Sequence, residues 1–175
     1  MTNRVYGNVV LFEGDSLEST VLRLITRSSF THVAIQTDEN KAESIDMRSG
    51  LIYHNLDNPS KDYKSYIILQ HKEMTQEKRW SFQMLNKHIG KEYDVYRWMV
   101  LAYRHIKQVK QDNQDIATTE RDIHTDSSRI ALMYVLNNLP IGLKDIHYSQ
   151  VESRQFFNLV YFNIIKEWNR DAGFL

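Results

Sequence analysis

The chain has 175 residues, with 22 basic against 22 acidic side chains, 42% hydrophobic residues and no cysteine. That length suits one domain, 1–175, with a core of its own. Balanced charge leaves no electrostatic footprint for nucleic acid, and the lack of thiols excludes disulfides and thiolate metal sites. Only four apolar residues, Val9 to Phe12, precede Glu13, too few for a signal-peptide core. No run approaches a membrane span, so a cytoplasmic protein is expected.

Val9-Val10-Leu11-Phe12, between Gly7 and Gly14, has the pattern of a buried strand. Asp15 and Glu18 make a capping box for a helix carried by Leu17, Val21, Leu24 and Ile25 and ending near Ser28. Three strands follow, Thr31 to Gln36, Ala42 to Asp46 and Gly50 to His54, joined by turns so short that the neighbours must be antiparallel. Tyr66 to Leu69 supplies a fourth.

The remainder is predicted to be helix and loop. Thr75 caps a helix marked by Phe82, Leu85 and Ile89 and stopped by Gly90, and Val95, Trp98, Ala102, His105 and Val109 mark another. Positions 110–126 are polar and without period, a long surface loop. Cap-type residues Thr125 to Ser128 then open a helix with seven apolar residues in a row, Ile130 to Leu136, predicted to be buried on nearly every side and ended by Pro140 and Gly142. Phe156, Phe157, Tyr161, Phe162 and Ile165 form a last aromatic segment that packs on the core. The expected class is α+β, an antiparallel sheet packed against helices.

Three residues form a candidate catalytic set. Ser127 heads the core helix, where free N–H groups and the positive end of the dipole favour developing negative charge, and its own N–H is a candidate oxyanion donor. His32 opens a strand in which it shares a face with Ala34 and Gln36. If the next strand pairs as a hairpin, Glu43 comes beside His32 and holds the imidazole in one tautomer, with Gln36 or Asp46 as alternatives. Nucleophile, base and orienter would then be Ser127, His32 and Glu43. The seven histidines show no metal-ligand spacing, so neither metal nor cofactor is expected. His124 is a second proton carrier or a loop residue, and Tyr93, Tyr96 and Trp98 line a groove or fill the core.

The run Gly7 to Phe12, the segment Ile25-Thr26-Arg27-Ser28-Ser29-Phe30-Thr31-His32-Val33-Ala34-Ile35 and Ala42-Glu43-Ser44 resemble the permuted papain-fold amidases of the YiiX and NlpC-related group. Gly90-Lys91-Glu92-Tyr93-Asp94 is similar to that group's G-K-x-Y-D stretch. Ser127-Ser128-Arg129-Ile130 falls on its C-S-E-L motif, and 150–165 resembles its closing segment. The resemblance spans residues 7 to 165. It implies a circularly permuted papain-like fold that hydrolyses an amide or ester of a peptide, lipid or acyl substrate through an acyl-enzyme.

Two positions depart from the pattern: Asn8 stands where Asp is common, and Ser127 stands at the nucleophile cysteine. A cysteine beside histidine rests as thiolate, whereas serine cannot. A helix terminus offers about 0.3 to 1 kcal/mol, less than the roughly 1.36 kcal/mol of one pKa unit. Ser127 would need His32 to take its proton during attack. It is an inactivating replacement, a natural serine nucleophile or the mark of a pseudoenzyme, the first and third being preferred to the second. The competing function is therefore a ligand- or protein-binding module, of viral or phage type.

Overall fold

Val9 to Phe12 have no exposed surface at all, as a strand covered on both faces must. The computed structural model describes residues 5–46, 50–88, 126–142, 156 and 159–174. Strand β1 (Val9–Gly14) lies at the centre of the sheet. It is flanked by β2 (His32–Asp38) and β5 (Tyr63–His71), and β3 (Lys41–Asp46) and β4 (Gly50–Asn55) extend the sheet beyond β2. Past β5 come β6 (Phe162–Asn169) and the two-residue β7 (Gly173–Phe174), giving the order β4-β3-β2-β1-β5-β6-β7 with every pair antiparallel. The described helices are α1 (Leu17–Thr26), α2 (Gln76–His88) and α3 (Asp126–Leu136). The α+β class with an antiparallel sheet is thus the one expected.

Several details differ. Ser16, not Asp15, caps α1, its hydroxyl accepting from the Ser19 N–H at 3.1 Å. Asp15 instead pairs with Arg170, whose guanidinium holds the carboxyl below its ordinary range. The cap sits tight on β1: a Cβ on Gly14 would stand 2.7 Å from that of Ser19 and 2.9 Å from the Thr31 hydroxyl. Leu17, Val21 and Leu24, which mark the helix by their spacing, are exposed. The stop of α3 comes earlier than Pro140: Asn138 takes a left-handed conformation (φ 52°) and the Leu139 N–H returns to the Tyr134 carbonyl. Helix α3 also has a wet side, Val135 and Leu136 being about half exposed. The final aromatic segment is in part strand β6, with Phe162 opposite His71. The helix expected over 95–109 and residues Tyr93, Tyr96, Trp98 and His124 lie outside the described residues, as does the loop expected over 110–126 except for Asp126, which opens α3.

Alternation divides the core in two. Val9, Leu11, Val33 and Ile35 pack with Phe82 of α2 and with Ile130, Ala131, Met133 and Tyr134 of α3. Val10, Phe12, Ala34, Ala42, Tyr66 and Ile68 form a second cluster on the other face. That second face is concave. In the strand order β4 and β5 are four steps apart, about 19 Å in a flat sheet, yet the rings of His54 and Tyr63 lie 5.5 Å apart.

His71 clamps the two halves of the chain. Its Nε2 lies 2.7 Å from the Pro140 carbonyl, while Nδ1 accepts the Glu73 N–H at 3.1 Å, so the neutral Nε2–H form satisfies both contacts. Burial pushes its pKa below the ordinary 6.5. Below that value the unfolded chain binds a proton that the native ring refuses, so stability falls as pH drops through 6.5 toward the depressed native value. Urea midpoints measured from pH 7.5 to 5 should show this decline, and His71→Gln should flatten it.

Candidate functional site

The β2–β3 hairpin turns at Glu39 and Asn40, and the ladder shifts register between Gln36 and Asp38. Beyond the shift Ile35 stands opposite Glu43 and Gln36 opposite Ala42. Glu43 therefore shares the face of Val33 and Ile35, and His32 takes the other with Ala34. The expected place beside His32 belongs to Ser44. Its hydroxyl oxygen lies 2.7 Å from the His32 Nε2 and 2.7 Å from the His54 Nε2. Around this trio Phe12 approaches His54 with ring centres 4.8 Å apart, and Tyr63 stacks on His32 at 6.3 Å. Ser44 has no exposed surface, His54 is 8% exposed and His32 is half-buried at the end of the concave face.

On the opposite face Glu43 enters a buried network. Its carboxylate accepts from the Arg129 guanidinium at 3.2 Å and from the Asn86 amide at 3.0 Å. Arg129 also donates to the Asn86 side-chain oxygen, and Asn86 donates to the Tyr6 hydroxyl. Burial raises the Tyr6 pKa. Nearby, Arg79 donates to the Tyr6 carbonyl and to Asn8, which in turn donates to Gln36. Strands β2 and β3 and the segment leading into β1 are thereby tied to α2 and α3 by buried polar contacts.

Ser127 is half-buried in the first turn of α3. It precedes Ile130 and Ala131 by one turn, on the stripe directed at Val33 and Ile35. Of the three residues singled out by the sequence, the ladder register puts Glu43 and His32 on opposite faces of the sheet, and Ser127 stands in the first turn of α3. Sequence reasoning missed Ser44, His54, Asn86 and Arg129. His54 had a legible signal, since it ends a strand adjacent to that of Ser44, whereas Arg129 reads as a solvent residue until its partner is known.

No family model matches the chain, and no curated protein does. Among solved structures it is similar to the metalloprotein YiiX of Escherichia coli O157:H7, with a TM-score of 0.59 over 94% of this chain and 97% of that one at 14% identity. The chain has a YiiX-like α+β fold. Among the described residues no three His, Cys, Asp or Glu side chains gather as metal ligands, and no helix is long and apolar enough to cross a membrane.

The Glu43–Arg129 pair is a buried charge pair, so breaking it strands a charge whereas replacing both partners does not. Arg129→Ala is expected to cost about 3–5 kcal/mol of unfolding free energy. The double change Glu43→Leu with Arg129→Met should recover most of that loss in urea titrations.

Proposed function

We propose that the chain is a single permuted papain-like domain, 1–175, that holds a peptide, lipid or acyl-bearing ligand in the cytoplasm without forming an acyl-enzyme. The observation that carries this reading is that the ladder register sets Glu43 on the face opposite to His32 and brings Ser44 to His32 in its place. A hydroxyl nucleophile needs a base within about 2.6–3.2 Å. The His32 ring lies among Phe12, His54 and Tyr63, with its Nε2 at Ser44. Glu43, the intended orienter, is committed to Arg129. Fold likeness brings the chemistry of the permuted amidases into view but does not supply it.

A second reading, a hydrolase with Ser127 as nucleophile, is favoured by the position of that residue. It lies in the first turn of α3, where the N–H groups have no intrahelical partner. Metal chemistry, suggested by the description of YiiX, fits less well. The imidazoles of His32 and His54 are together but already share Ser44, and a tetrahedral centre asks for three or four protein ligands.

A fluorophosphonate probe and activated acyl esters separate the first two readings. Wild type and Ser127→Ala are expected to show the same background labelling and ester turnover. Labelling that vanishes in both Ser127→Ala and His32→Ala would establish the hydrolase instead.

A further inference from the structure

Ser44 has one hydroxyl hydrogen and two imidazole nitrogens at 2.7 Å, His32 Nε2 and His54 Nε2. A hydroxyl donates once, and an Nε2 either carries a proton and donates or lacks one and accepts. With both rings neutral, one contact runs from O–H to N and the other from N–H to O. The two histidines must then hold opposite tautomers, one with its proton on Nε2 and the other with its proton on Nδ1. If a proton enters at the Nδ1 of the ring that donates through Nε2, reversing both contacts keeps that ring neutral and makes the other ring cationic, without moving a heavy atom.

The two ends of this chain differ. His32 is half-buried, whereas His54 is 8% exposed and packed against the rings of Phe12 at 4.8 Å and Tyr63 at 5.5 Å. Aromatic faces at such distances attract a cation. We propose that His32, Ser44 and His54 form a proton relay, with His32 as its entrance and His54 as its store. The end of the concave face then has a general base for a ligand that carries an acidic N–H or O–H. This goes beyond the binding reading above, and Ser127 takes no part in it.

The step balances as a transfer of one proton. A ligand hydrogen bonds to the Nδ1 of His32 as its bond to the ligand breaks. The Nε2 proton of His32 passes to the Ser44 oxygen, whose own hydrogen passes to the Nε2 of His54. His32 ends neutral, His54 cationic and the ligand anionic. A second proton is opposed, because two cationic rings would both donate to one oxygen with ring centres only 5.4 Å apart. Of the other titratable side chains described on this face, Tyr63 packs on both rings, and Tyr66, pushed up to about 12 by burial, stays neutral and donates to the Leu56 carbonyl. Glu43 and Arg129 are on the opposite face.

Long-range proton–nitrogen correlation spectra of the full-length, nitrogen-labelled protein, recorded across pH, test the relay. In wild type His32 and His54 should show opposite neutral tautomers, and the pair should titrate in two steps more than about one pH unit apart. In Ser44→Ala the ring held as Nδ1–H should shift toward the Nε2–H form, and Ser44→Thr, which retains the hydroxyl, should restore it. Identical tautomers in wild type overturn the proposal without any variant, as do tautomers unchanged by Ser44→Ala. Probe labelling at Ser127 bears on the function proposed above and leaves this result untouched.

Discussion

A single register shift decides what each face of the sheet can do. At the turn Asp38 stands opposite Lys41, an even-numbered residue against an odd one. Carried on unbroken, that register would set Glu43 opposite Gln36, on the face of His32, and would send Ser44 to the helices. The bulge between Gln36 and Asp38 consumes one residue, after which even meets even and odd meets odd. Because side chains alternate with a period of two, one extra residue exchanges the two faces for the whole of β3. An acid goes to the helices and a hydroxyl goes between two imidazoles.

The placement of the acid governs the helix layer. A carboxylate as enclosed as Glu43 cannot remain charged without a partner. Arg129, with no exposed surface, and Asn86 supply the contacts from two different helices. Such a pair adds little net stability compared with an apolar replacement, but it specifies rotation and depth, since α3 turned by one residue would withdraw the guanidinium. With Arg129 fixed on Glu43, Ile130, Ala131 and Tyr134 meet the sheet, and the Tyr134 hydroxyl reaches the Gly7 carbonyl at 2.7 Å. Ser127 follows the same helix and inherits its direction.

Most of the sheet was legible because its strands are short apolar or alternating runs between turn residues. The expected segments at 9–12, 42–46, 50–54 and 66–69 fall within observed strands, and that at 31–36 does so from His32 onward. Strand β6 escaped because its pattern is poor: Ile164 and Ile165 are neighbours and both remain substantially exposed, so neither period stands out. Helix α1 was legible from its spacing, but its exposure was not. Helical spacing shows that Leu17, Val21 and Leu24 share a face, but not that anything covers it. At the site, His32 and its face were readable from alternation alone, whereas the partner of His32 depended on the bulge, for which a short polar hairpin gives no sequence sign.

The chain therefore contains two serine hydroxyls with complementary deficits. Ser127 has surface that a substrate can approach and a helix terminus beside it, but the His32 Nε2 is engaged by Ser44 instead. Ser44 has two imidazoles at hydrogen-bond distance, as a nucleophile would require, but no exposed surface through which an electrophilic carbon can reach it. Attack needs both properties in one residue, because the reacting atoms must come to about 3–3.5 Å while the proton leaves. A proton is subject to no such restriction. It passes through an enclosed hydroxyl by exchange of bonds, and burial protects that path from competing water, so the enclosure that disqualifies Ser44 as a nucleophile suits it to carry protons.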